Sequence, residues 1–238
     1  MPDKQLLKID DIKSVAEFLQ QPAVQMAEFL TGVLTSETKD LKYSAGRLIQ
    51  ASLQWKLYSQ LGAEIKEYIE KGKIKEDFLD NAQNKQSLYD LLKFIDEATP
   101  DENRFKAVKT LFLKSLSVDA SQEEQIIAYQ FMKLSAQLDS DALLILKAVY
   151  DICNGNLVQT ESSFSVDLGT RNASAWLTSI ATQIGHNILS LVELHEDQLV
   201  QNKLLGPRQH SDNSGIQQTG HYRLTDLGYR FCEYIYNT

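Results

Sequence analysis

The segment that most constrains the fold is GHYRLTDLGYRFCEYI, Gly220 to Ile235. Tyr222 and Leu224 alternate as residues do across a β-strand, and the hydroxyl of Thr225 can then cap a helix. The apolar residues that follow recur at helical spacing: Leu227, Phe231, Tyr234 and Ile235. The segment therefore predicts one strand that leads directly into one amphipathic helix.

Helical periodicity dominates the chain before this segment. Only 11 glycines and 4 prolines occur in 238 residues, which favours long regular elements over a turn-rich β fold. The pattern predicts helices at 9–34 (divided at Pro22), 37–71, 75–98, 99–116, 121–138 and 139–153. Ser121 and Glu124 have the spacing of a capping box, and Asp139 begins the last of these helices. We therefore expect residues 1–138 to form an N-terminal helical bundle.

The composition changes after Gly155. Residues 155–172 are polar and aperiodic, which indicates a loop or a loose hairpin. The next segments predict helices at 173–185 and 187–197, a strand at 199–205, a polar tip at 206–220 and a strand at 222–224. This order, and the spelling Y-R-L-T-x-L-G, resemble a winged-helix domain with an extended wing. The predicted fold class is mostly α, with a winged-helix-like α+β domain and its small β-hairpin at 139–238.

Four segments resemble the abortive-infection alpha-type proteins of bacteria and related helical domains. They are QASLQWKLYSQLGAEIKEYIEKGKI (50–74), TPDENRFKAVKTLF (99–112), LDSDALLILKAVYDI (138–152) and YRLTDLGYRFCEYI (222–235). Together they cover about a third of the chain. The resemblance implies a cytosolic bacterial protein associated with phage defence or mobile elements. It implies no catalytic residues.

The charge is negative and unevenly distributed. The formal net charge is -8, and residues 135–238 carry 11 Asp+Glu against 6 Lys+Arg. Because phosphate binding relies on clustered Lys and Arg, this balance disfavours nucleic acid as the partner of the C-terminal domain. No apolar run approaches the ~18 residues of a membrane span. The first thirteen residues are charged where a signal peptide is apolar, so we expect a cytoplasmic protein.

Two groups of residues are candidates for partner contacts. The helix predicted at 187–197 is acidic and lacks Lys and Arg, which favours contact with protein over base reading. Basic groups flank the expected wing, and tyrosines concentrate at the C-terminus, where they suit packing or a dimer surface. The candidate contact residues are Glu193, Glu196, Asp197, Lys203, Arg208, His210, Arg223, Tyr222 and Tyr229.

No motif predicts catalysis, a cofactor or a metal. The four histidines lack compact ligand spacing, and Cys153 and Cys232 lie on apolar helical stripes typical of buried free thiols. We therefore expect a non-enzymatic interaction or regulatory protein that binds a protein partner or a second copy of itself. Two alternatives stay open: a winged-helix transcription regulator that binds DNA, and an enzyme with an unrecognised site.

Overall fold

The chain divides into two compact units, Met1–Lys133 (unit 1) and Leu134–Thr238 (unit 2). The computed structural model describes residues 41–98, 100–155, 180–185, 188–207, 209–212, 215–218 and 223–237. The helices expected within 9–34 and nearly all of the polar segment 155–172 lie outside the described residues. The predicted domain boundary between 138 and 139 stays a prediction.

Unit 1 is built from helices whose starts are fixed locally. Its described elements are α1 (Leu41–Glu70), a 3₁₀ turn (Phe78–Asp80), α2 (Ala82–Ala98), α3 (Glu102–Leu116) and the first part of α4 (Gln122–Gln137). The capping box before α4 is confirmed, since Glu124 accepts the Ser121 N–H at 2.8 Å and the Ser121 hydroxyl accepts the Glu124 N–H at 3.3 Å. Asp101 caps α3 by accepting the N–H groups of Asn103 and Arg104.

The core of unit 1 consists of the apolar stripes that the periodicity predicts. The buried side chains of α2 and α3 include Leu88, Leu91, Leu92, Ile95, Phe105, Val108, Leu111, Phe112 and Leu116. On α1, Leu57, Leu61 and Ile65 are buried at the spacing of one helical face. Burial of these stripes, each large side chain contributing about 1.5–3 kcal/mol, stabilises helices that would be marginal alone.

Unit 2 is also helical. It contains α5 (Ser140–Cys153), a helical segment at 180–184, α6 (Leu189–Gln201), two four-residue strands β1 (Gln209–Asp212) and β2 (Gly215–Gln218), and α7 (Asp226–Tyr236). Asp139 caps α5 through the Ala142 N–H, and Thr225 caps α7 through the Gly228 N–H, as predicted. Among the described residues, no helix has the length and apolar content needed to cross a membrane.

The predicted α+β winged-helix class is wrong, because the described core is helical throughout. The strand predicted at 199–205 begins inside α6, which continues to Gln201. Between the described residues of the two predicted strands, the single bridge Leu205–Leu224 is the only pairing. β1 and β2 lie within the expected polar tip, and among the described residues they pair with each other and with no third strand.

The ending of α6 gives the physical reason for this error. Lys203 adopts a left-handed backbone (φ 59°), and the Leu204 N–H then donates to the Leu199 carbonyl at 2.9 Å. This left-handed cap turns the chain at once, so Leu199, Leu204 and Leu205 are buried without forming a strand. An apolar spacing that resembles a strand therefore belongs to a helix end and its cap.

α7 packs closely on the turn that follows α6. Phe231, Cys232 and Ile235 are buried along its inner face. At Gly228 an added Cβ would lie 2.1 Å from the Leu204 carbonyl oxygen, so only glycine permits this approach of the two backbones. The glycine that ends the Y-R-L-T-x-L-G spelling, Gly228, is thereby explained by packing within unit 2.

Candidate functional site

Helix α6 divides cleanly into a buried side and a solvent side. Val192, Glu196 and Leu199 are buried. With about 100° per residue, Leu194 lies roughly 140–160° around the helix from each of them. Leu191 lies about 60° from Leu194, so both leucines belong to the side that faces away from the core.

The solvent side of α6 exposes large aliphatic side chains. Leu194 is 61% exposed and Leu191 is 40% exposed, while Ile188 and Leu189 at the start of the helix are 54% and 39% exposed. Single exposed leucines are common on protein surfaces, but Leu191 and Leu194 lie on the same side of one helix and together form an apolar area suited to burial by a partner. None of the four was selected from the sequence. The available signal was the run ILSLVEL at 188–194, which has more aliphatic residues than one helix face can bury.

Acidic groups border these leucines on one side. Glu193 and Asp197, both predicted contact residues, are exposed on α6. Viewed along the helix axis, Asp197 lies about 60° from Leu194, on the side opposite to Leu191. Glu193 lies next to Asp197 on that same side, farther from Leu194. We name the surface formed by Leu191, Leu194, Glu193 and Asp197 the α6 outer face.

A second acidic pair borders the other edge of the α6 outer face. His195 lies about 40° beyond Leu191. Its Nδ1 is 3.0 Å from Asp139 Oδ2, and its Nε2 is 3.3 Å from Asp141 Oδ2. Gln198 adds hydrogen bonds to the Asp139 N–H and the Gln137 carbonyl. These contacts hold α6 against the end of α4 and the first turn of α5, and they place two half-exposed carboxylates at His195, next to Leu191 around the helix.

The structure places two predicted contact residues inside unit 2. Arg223 Nη1 donates to Glu196 Oε2 at 2.8 Å, and the two side chains are 5% and 1% exposed. Arg223 Nε also donates to the Gly206 carbonyl at 3.0 Å. The pair joins α6 to the segment before α7, and burial removes both charges from any surface contact. Sequence reasoning missed this pairing because 27 residues separate the partners.

The other predicted contact residues are dispersed. Lys203 is exposed at the end of α6, and Tyr229 is partly exposed, with its ring 5.2 Å from that of Tyr150. The backbone of His210 lies in β1. Arg208 and Tyr222 lie outside the described residues. Of the described basic candidates, Arg223 is buried and Lys203 is exposed, whereas the acidic residues Glu193 and Asp197 share the α6 outer face.

The cysteines show the features of packed thiols. Both are free, Cys232 is buried and Cys153 is half-buried. Burial raises the pKa of Cys153 to about 11 and that of Cys232 still further, so both remain protonated at neutral pH. Among the described residues, no group of three or more His, Cys, Asp or Glu is placed to hold a metal ion.

Comparisons of the chain with protein-family models, curated proteins and solved structures find no match. The resemblance to abortive-infection alpha-type proteins therefore stays a prediction.

Proposed function

We propose that this chain is a non-enzymatic interaction protein that binds another protein through the α6 outer face. The observation that carries the proposal is the exposure of Leu191 and Leu194 on a helix that is firmly held from its other side. Apolar side chains on a rigid helix lose little conformational entropy when a partner covers them. The resemblance to abortive-infection proteins suggests the setting, which we propose to be phage defence in the bacterial cytoplasm.

The electrostatics of α6 support a protein partner over DNA. Residues 189–201 contain no Lys or Arg, and Glu193 and Asp197 are exposed. A duplex groove is lined by phosphates, which repel carboxylates. The expected recognition helix of a winged-helix regulator also loses its structural basis, since the described residues of unit 2 do not form that fold.

Selection from a random peptide display library tests this proposal without knowledge of the natural partner. We expect peptides that bind the full-length protein to lose binding to the double variant Leu191→Asp/Leu194→Asp. The physical reason is that two charges then replace the apolar surface that the peptides cover. Because both leucines are already exposed, circular dichroism should show unchanged helix content.

The matched control is Leu53→Asp, which places the same charge at a leucine that is 50% exposed in unit 1. Peptides selected on the wild type should retain binding to this variant. Peptides that bind the wild type and the α6 double variant equally, or a selection that enriches no binder, would refute the proposal.

A further inference from the structure

Carboxylates lie on both sides of the apolar centre of the α6 outer face. Glu193 and Asp197 border Leu194 on one side. On the other side, Asp139 and Asp141 contact His195, which follows Leu191 by one helical turn. Leu191 and Leu194 therefore lie between two acidic edges, of which one comes from α6 and the other from the first turn of α5.

A second copy of this surface would be a poor partner. A two-fold dimer through the α6 outer face would bring the same patch against itself. Each acidic edge would then meet an acidic edge, and like charges across an interface are unfavourable. Within 189–201 the only side chain that can carry positive charge is His195, and both its ring nitrogens already face carboxylates.

We infer that the partner presents a basic amphipathic helix, with an apolar stripe for Leu191 and Leu194 and with Lys or Arg on both sides of that stripe. This inference rests on the proposed function and adds the chemistry of the partner. A helix fits because apolar residues three or four apart form one narrow stripe, and the residues beside the stripe can all be basic. The stripe would cover the leucines while the basic residues approach the four carboxylates.

Three synthetic peptides of about 18 residues, five helical turns, provide the test. They share one leucine stripe, and their remaining positions are Lys in the first, Gln in the second and Glu in the third. Fluorescence anisotropy with the full-length protein gives each Kd. We expect the Lys peptide to bind at least tenfold more tightly than the Gln peptide, and the Glu peptide to bind most weakly. Raising the salt concentration to about 0.5 M should remove most of the preference for Lys.

Two variants separate the charge effect from the apolar contact. Glu193→Gln/Asp197→Asn should weaken the Lys peptide by about three- to fivefold per charge, and it should leave the Gln peptide unchanged. The control Glu76→Gln/Asp77→Asn removes the same number of exposed charges in unit 1 and should change neither Kd. Leu191→Asp/Leu194→Asp should weaken the Gln peptide, since its binding depends on the leucines.

The outcomes for the inference and for the proposed function are distinct. Equal binding of the Lys and Gln peptides, lost only in the leucine variant, would overturn the basic partner and leave the proposed function standing. Binding of no peptide to this face would count against both. Sedimentation showing a dimer that Leu191→Asp/Leu194→Asp dissociates would overturn the inference in favour of a second copy of the chain.

Discussion

Gly228→Ala tests the packing that holds α7 onto the end of α6. Alanine is ordinarily the better residue in a helix, by about 0.5–1 kcal/mol. At this position, however, its Cβ would lie 2.1 Å from the Leu204 carbonyl oxygen and 2.9 Å from Leu224 Cδ1. A carbon–oxygen contact needs about 3.3 Å, so the two backbones must separate by about 1 Å.

The expected loss of stability follows from the hydrogen bonds that this separation of the two backbones weakens. The Leu204 carbonyl accepts the Thr225 N–H at 3.2 Å and the Thr225 hydroxyl at 3.1 Å. Overpacking costs about 1–3 kcal/mol, and each weakened hydrogen bond adds about 0.5–1.5 kcal/mol. Because the two hydrogen bonds are stretched rather than lost, we take the low end of their range together with a mid-range overpacking cost. After subtraction of the gain in helix propensity, we expect unit 2 to lose about 2–3 kcal/mol of stability.

Hydrogen exchange measured by mass spectrometry on peptides from 226–236 reports the loss of stability of α7 itself. A local measurement is needed because the chain divides into two units, for which one global free energy of unfolding is not defined. A loss of 2–3 kcal/mol predicts amide exchange about 30- to 150-fold faster in α7. Gly206→Ala is the matched control, because its added Cβ lies 3.4 Å from the Arg223 carbonyl oxygen, an ordinary contact. If Gly228→Ala slows exchange or leaves it unchanged, the close approach of α7 to Leu204 is refuted.

Three further predictions concern buried or strained groups. Arg223→Met removes the guanidinium that neutralises the buried Glu196 carboxylate, so urea unfolding should show a loss of about 3–5 kcal/mol. Arg223→Met/Glu196→Met should restore most of this loss, and equal losses in both variants would contradict the buried pair. Lys203→Gly should raise the urea midpoint, with a gain of about 0.5–1 kcal/mol, because glycine adopts the left-handed conformation without steric strain. Lys203→Ala keeps a Cβ at this position and should show no gain. Burial and the hydrogen bond to Asp90 raise the pKa of Tyr129 to about 12, so the folded state retains the phenol proton at a pH where the unfolded chain loses it. The free energy of unfolding should therefore fall as pH rises from 10 towards 12, and it should fall less steeply in Tyr129→Phe.

Local signals in the sequence predicted the helices well. The capping box at Ser121 and the caps at Asp139 and Thr225 were found because each cap accepts a hydrogen bond from a residue only three positions away. The buried stripes of α2 and α3 were found because their spacing records which side faces the core. Both kinds of signal lie entirely within one element.

The errors arose where distant segments decide the conformation. The residues at 199–205 were predicted as a strand because nothing in the sequence marks Lys203 as left-handed, a position where glycine is usual. Glu196 was predicted as a surface residue because its partner Arg223 comes from the other side of the turn and the hairpin. Neither the cap nor the ion pair could be derived without the contacts that Arg223 and Gly228 make with the end of α6 and the turn that follows it.

The same long-range packing changes what the acidic character of unit 2 means for binding. Counting charges along the chain assigned Glu196 to the contact helix and left Asp139 as a helix cap. In the fold, Glu196 is neutralised inside by Arg223, while Asp139 and Asp141 are brought to α6 by His195. The exposed Leu191 and Leu194 then lie between two acidic edges. The net charge of unit 2 alone would be the same if its carboxylates were spread evenly over the surface. For the proposed interaction, we therefore expect the chemistry of the partner to follow from where the fold places its carboxylates around Leu191 and Leu194, rather than from how many there are.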